Sequence, residues 1–144
     1  MPIINGTNIN KSLIPKGTDS NSINVRRGIV TTIMSQYKGC KIFCPALNRY
    51  VEFNQTSIKE TVAHASKRYD STLLVMNLTN AIQTAQFERS DIPKSKNQKK
   101  EKFKIIHILK GRLKNTGSYK LSIGEKSSKR IFHYCITENK KSKK

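Results

Sequence analysis

The sequence predicts an α+β domain: two helices packed on a small antiparallel sheet, a meander of three to four strands, with an additional short β region at the N-terminal side. Three observations carry that expectation. β-branched and aromatic runs fill the front of the chain, apolar residues recur at helical spacing through its middle, and three strand-like runs separated by turn sequences close it.

Taken in order, residues 1–24 are rich in Asn, Ser, Thr and Gly. Their apolar residues Ile3, Ile4, Ile9, Leu13 and Ile14 are spread too irregularly for a helical stripe, so this segment reads as a flexible arm. The cluster Ile29-Val30-Thr31-Thr32-Ile33 reads as a strand within Val25 to Met34, and Cys40 to Phe43 and Tyr50 to Phe53 flank a Pro45-containing turn as a hairpin. Ile58, Val62, Ala65 and Tyr69 then follow at i, i+4, i+7 and i+11, and Ser57 with Glu60 has capping-box spacing at the start of that helix. Leu74, Leu78, Ala81, Ile82 and Ala85 mark a second helix, capped by Asp70 or Ser71 and finished before Pro93. Lys94 to Lys102 holds five Lys and one Glu with no apolar anchor, a basic loop. Phe103 to Leu113, Tyr119 to Ile123 and Lys129 to Thr137 alternate as strands around Asn115-Thr116-Gly117 and Gly124-Glu125-Lys126-Ser127, giving the meander. The chain therefore divides into an arm (1–24), one α+β domain (25–137) and a basic tail (138–144).

Charge narrows the function. The 144 residues include 28 Lys and Arg against 9 Asp and Glu, a formal net charge of +19, which points to a polyanionic partner. The carboxylates are scattered singly, so none is paired by sequence to hold Mg²⁺ or Ca²⁺, and carboxylate-metal nuclease chemistry is not expected. Cys40 and Cys44 stand as C-x₃-C without a second pair, and with Cys135 the count is odd, so neither zinc nor a disulfide framework is expected. Walker loops, dinucleotide fingerprints and nucleophile elbows are absent, and no cofactor is expected. No apolar run approaches the roughly 20 residues of a membrane span. Met1 to Gly6 lacks the layout of a signal peptide, so the expected setting is the cytoplasm of a producing or target cell.

His64 sits off the apolar stripe of its helix, four residues after Glu60 and on the same flank as Thr61 and Arg68. It is either a half-exposed surface histidine or an acid/base group between a carboxylate and a guanidinium. Glu60 is likewise either a cap or that carboxylate. His107 lies on the Ile105/Leu109 side of its strand, which argues for burial beneath a helix. His133 shares a face with Ile131, Cys135 and Thr137, and Arg130 and Tyr134 occupy the other face. Arg68, Lys94, Lys96, Lys99, Lys100, Lys102 and Lys104 are the candidates for gripping a phosphate backbone.

The run Phe53 to His64, with its Ile-Lys-Glu-x₃-His helix start, a second helix containing Asn80-Ala81 and a closing strand Ile131-Phe132-His133-Tyr134 resembles a known group. It is similar to the phage and polyvalent-protein branch of the barnase, EndoU, colicin E5/D and RelE-like nucleases, over residues 50–137. The resemblance implies one or two helices on a four-stranded antiparallel sheet and metal-independent RNA cleavage, and it nominates Lys59, Glu60, His64, Arg130, His133 and Tyr134 as catalytic. RNA supplies its own nucleophile, so the chemistry asks for a base, an acid and a cation near the phosphorane. The expected function is a toxin- or effector-type endoribonuclease acting on RNA, tRNA among it, with an acidic immunity or antitoxin protein as a second partner. The alternative is a basic module that binds nucleic acid without cleaving it.

Overall fold

The computed structural model describes residues 13–92, 103–113 and 117–138. Its elements are α1 (Ser20–Tyr37), β1 (Lys41–Cys44), β2 (Arg49–Glu52), α2 (Gln55–Ala65), α3 (Tyr69–Met76), α4 (Leu78–Thr84), β3 (Gln86–Asp91), β4 (Ile105–Leu113), β5 (Gly117–Glu125) and β6 (Ile131–Glu138). The strands form one six-stranded sheet in the order β1-β2-β6-β5-β4-β3. All neighbours are antiparallel except β2 and β6, which run parallel through Val51–Ile131 and Glu52–Phe132. In place of the expected two helices on a sheet of three or four antiparallel strands, the described residues form four helices on a mixed sheet of six.

The largest departure is at the front, where the expected strand over Val25 to Met34 is the middle of helix α1. Its β-branched cluster favours a strand locally, yet the buried residues Arg26, Val30, Ile33, Met34 and Tyr37 recur at i, i+4, i+7, i+8 and i+11. Burial of that stripe outweighs the modest propensity penalty of Val, Ile and Thr in a helix. Asp19 caps the start by accepting from Ser22 N at 3.1 Å, and the Thr31 and Thr32 hydroxyls turn back onto the carbonyls of Arg27 and Gly28.

Further along, β1 and β2 pair as the expected hairpin, and β4, β5 and β6 form the expected meander. The cap of α2 is Asn54 with Ser57, not Ser57 with Glu60: Ser57 N donates to Asn54 Oδ1 at 2.9 Å and Asn54 N donates to Ser57 Oγ at 3.0 Å. The second expected helix is divided at Asn77 into α3 and α4. β3 escapes a periodicity search because all six of its residues, Gln86 to Asp91, are exposed. It is a charged edge strand, a composition that discourages pairing with another chain.

One face of the sheet carries Leu109, Tyr119, Leu121, Ile123, Ile131 and Ile136, all buried with α1 to α4 in a single core. Because β2 is short, the remainder of β6 is covered by α2. Tyr119 ties sheet to helix, donating its hydroxyl to Ala81 O at 2.8 Å, and its cross-strand partner is Gly111. A Cβ at Gly111 would overlap the Tyr119 hydroxyl and ring, and the ring is fixed by that hydrogen bond. Gly111→Ala is expected to cost about 1–3 kcal/mol of stability, read as a lower urea midpoint with unchanged slope. An unchanged midpoint would refute the fixed position of Tyr119.

Candidate functional site

Of the residues nominated from sequence, Glu60, His64 and Tyr134 come together where α2 covers β6. His64 Nε2 lies 3.3 Å from Glu60 Oε1, with the histidine about half-exposed and the carboxylate mostly covered. Burial, reinforced by the neighbouring Glu60 carboxylate, pushes the Tyr134 phenol up. Lys59 is exposed on α2. Arg130 stands elsewhere, bound through both nitrogens to Glu52 at 3.0 and 2.6 Å. Arg68 pairs with Glu138 at 3.3 Å, and Lys104 is exposed, its backbone N–H donating to Glu125 O. Lys94, Lys96, Lys99, Lys100 and Lys102 lie outside the described residues.

His133 does not join His64. It is fully buried on the helix-covered face of the sheet, against the Phe53 ring, with Nε2 2.8 Å from Thr61 Oγ1. The Thr61 hydroxyl donates to Tyr134 O at 3.3 Å, so the network assigns the imidazole proton to Nε2 and leaves Nδ1 as a buried acceptor without a partner among the described residues. Burial lowers this imidazole from the ordinary 6.5 to about 3, so it is neutral at physiological pH. The sequence left its face open because both alternating sets on β6 mix apolar and polar groups.

His133 also dictates a pH dependence. The unfolded chain takes up a proton below about 6.5 that the folded protein refuses until about 3, so stability is full above 6.5 and declines as pH falls through that window. The loss is on the order of 5 kcal/mol. Glu52 and Glu125, held below the usual range chiefly by Arg130 and Arg49, add their losses only beneath their ordinary 4.5. Urea midpoints of His133→Gln should therefore fall less between pH 6.5 and 5 than those of the unmodified protein. Parallel slopes would contradict a neutral buried His133.

A second set of polar groups crosses the sheet near the turn between β5 and β6. Ser90 Oγ lies 2.8 Å from His107 Nδ1, His107 Nε2 lies 2.7 Å from Glu125 Oε1, and Arg49 donates to the same oxygen at 3.0 Å. The antiparallel register creates this chain. Ser90 on β3 is the cross-strand neighbour of His107 on β4, Glu125 lies one step diagonally across on β5, and Arg49 shares its side of β2 with buried Val51. His107 is buried, as the alternation along its strand indicated, but its ring is held by strand side chains on both nitrogens. Hydrogen bonding from Arg49 keeps the Glu125 carboxyl well below its ordinary range, with His107 adding to the effect, so Glu125 accepts from Nε2–H. Nδ1 is then the basic nitrogen, aimed at a serine hydroxyl on an exposed edge strand. An imidazole oriented by a carboxylate that a guanidinium holds in turn, with a hydroxyl on its far nitrogen, is a general-base arrangement. Ser90, Glu125 and Arg49 were missed from sequence because β3 has no apolar period and nothing local fixes the diagonal pairing. The one available signal was that His107 shares a face with Leu109.

Residues 21–134 match the family model of the large polyvalent protein-associated domain 3. The chain belongs to this family. The match takes in α1 and the β1–β2 hairpin as well as every member of the Ser90–His107–Glu125–Arg49 chain, so the front half is part of the same domain and not an appendage. No curated protein and no solved structure matches the chain. Among the described residues no helix is long and apolar enough to cross a membrane.

Proposed function

We propose that this polyvalent-protein-associated domain is a ribonuclease of toxin or effector type, and that Ser90, His107, Glu125 and Arg49 perform the cleavage. The unbroken chain from an exposed hydroxyl through imidazole and carboxylate to a half-exposed guanidinium is the observation that carries the reading. The +19 charge and the resemblance to the barnase, EndoU, colicin E5/D and RelE-like nucleases support RNA as the substrate.

In this mechanism the 2′-OH gives its proton to Ser90 Oγ as the Ser90 proton passes to His107 Nδ1. The 2′-oxygen attacks phosphorus, the 5′-oxygen departs with a proton from solvent, and the products end in a 2′,3′-cyclic phosphate and a 5′-hydroxyl. Glu125 stabilises the imidazolium, and Arg49 holds the Glu125 carboxylate in place and ionised. RNA brings the nucleophile, so no bound metal is asked to generate one. An acidic inhibitor protein is the natural second partner of so basic a surface.

The test is incubation of purified protein with total RNA in EDTA, alongside the His107→Ala and His64→Ala variants. Cleavage by the unmodified protein and by His64→Ala, but not by His107→Ala, is expected. Loss confined to His64→Ala would move the chemistry to the Glu60–His64–Tyr134 cluster. Tight binding with intact RNA from every protein would leave a nucleic-acid-binding module.

A further inference from the structure

The face of the sheet turned away from the helices carries a second assembly, around the β1–β2 hairpin. Ile42, Cys44 and Val51 point into the core, so strand alternation sends their neighbours Phe43 and Tyr50 outward. These two are direct cross-strand partners with ring centroids 5.2 Å apart in an edge-to-face arrangement, and Tyr50 is 59 % exposed. A packed hairpin accounts for the pairing, but not for leaving the larger ring mostly in water.

Three cations gather next to this pair. Lys41 is the cross-strand partner of Glu52, Arg130 binds Glu52 through two nitrogens, and Lys126 acts on the same carboxylate. Arg130 and Lys126 also both lie over the Phe132 ring, at 5.2 and 4.8 Å from its centroid. One carboxylate amid three cations leaves a local excess of two positive charges. An exposed aromatic face bordered by such an excess suits single-stranded nucleic acid: a base stacks on the ring while phosphates meet the cations. The +19 charge of the whole chain favours a nucleic acid over an acidic protein as the occupant.

We infer that the outer face of the β1–β2 hairpin is a binding platform for single-stranded RNA, with a base stacked on Tyr50 and the adjoining phosphates on Lys41 and Lys126. The inference rests on the proposed RNA-cleaving function, which it extends by naming where flanking nucleotides lie. Tyr50 and Arg49 are consecutive on β2 and point to opposite faces. The turn that carries Lys126 also supplies Lys129 O, which accepts from Arg49 at 3.2 Å. A strand laid on the platform therefore needs only to cross the rim of this turn to reach the Arg49–Glu125 end of the polar chain.

The experiment is fluorescence anisotropy with a labelled 2′-O-methyl oligouridine, which binds but offers no nucleophile, so that affinity is read apart from cleavage. Tyr50→Ala is expected to raise Kd by roughly 5- to 100-fold, as loss of one stacked base does, and Tyr50→Trp to restore binding. Replacing Lys41 and Lys126 together by alanine should reduce the slope of log K against log salt by about 1.4. Both sites are at the surface, and far-UV circular dichroism confirms that the variants fold. Unchanged affinity of Tyr50→Ala, or an unchanged salt slope of the double variant, would overturn the platform. Loss of binding by Tyr50→Ala in a protein that cleaves no RNA would uphold the platform and discard the nuclease reading. Normal binding by Tyr50→Ala in a protein that cleaves would do the reverse.

Discussion

Converting Glu125 to glutamine is expected to slow RNA cleavage by about 10²- to 10⁴-fold while leaving the protein folded. The reason is that one carboxylate oxygen serves two partners, accepting from His107 Nε2 at 2.7 Å and from Arg49 at 3.0 Å. Glutamine keeps the shape but removes the charge. His107 then loses the group that assigns its tautomer and stabilises its protonated form, and Arg49 loses its anchor. Single-turnover rates measure the effect. If Glu125→Gln cleaves as fast as the unmodified protein, the carboxylate has no part in the chemistry. The lost charge should also show in stability, because the lowered pKa of Glu125 means that its ionised form favours the fold above the ordinary 4.5. Below that pH, as the folded carboxyl is protonated, the two proteins should converge.

The second large effect is expected at Arg26, which is fully buried at the start of the α1 stripe. Its guanidinium donates to four backbone carbonyls: Ser66 at 2.9 Å, Pro15 at 2.7 Å, Gly17 at 2.8 Å and Lys67 at 3.0 Å. Desolvation lowers its pKa, opposed by Asp19, yet a guanidinium stays charged under any folding condition. It thereby joins the segment before α1 to the α2–α3 connection. Arg26→Ala strands these acceptors in the interior and should cost about 3–5 kcal/mol. Arg26→Lys keeps the charge but not the planar fork, and should recover only part of the loss. Chemical denaturation of both variants checks this. A cost below about 1 kcal/mol for Arg26→Ala would mean that water or other donors satisfy the carbonyls.

What the sequence made legible follows from where the physical signal was local. The α2 stripe of Ile58 and Ala65, the hairpin around Pro45 and the order of the β4 to β6 meander rest on short-range period and turn chemistry, and each appears in the fold. A register shift within the β5–β6 pair, however, breaks the simple alternation of β6 after His133. α1 was misread because Ile29 to Ile33 favours a strand on propensity, whereas the deciding stripe includes a buried arginine that no hydrophobic count registers. β3 was unreadable because an exposed edge strand has no period to detect. The candidate site divides along the same line. Glu60 and His64 are neighbours by helical spacing and were found together, whereas Ser90, Glu125 and Arg49 meet His107 only through pairing among four strands. His133 shows the converse: strand alternation put it on one of two faces, and only the packing of α2 over β6 decided that it is buried and neutral.

The most direct test follows 5′-labelled RNA with the protein and with its His107→Gln variant in EDTA, after circular dichroism has shown both to be equally folded. The prediction is fragments ending in 2′,3′-cyclic phosphate from the unmodified protein, formed at least about 100-fold more slowly by the variant. Equal rates from the two proteins, or intact RNA from both, would contradict it.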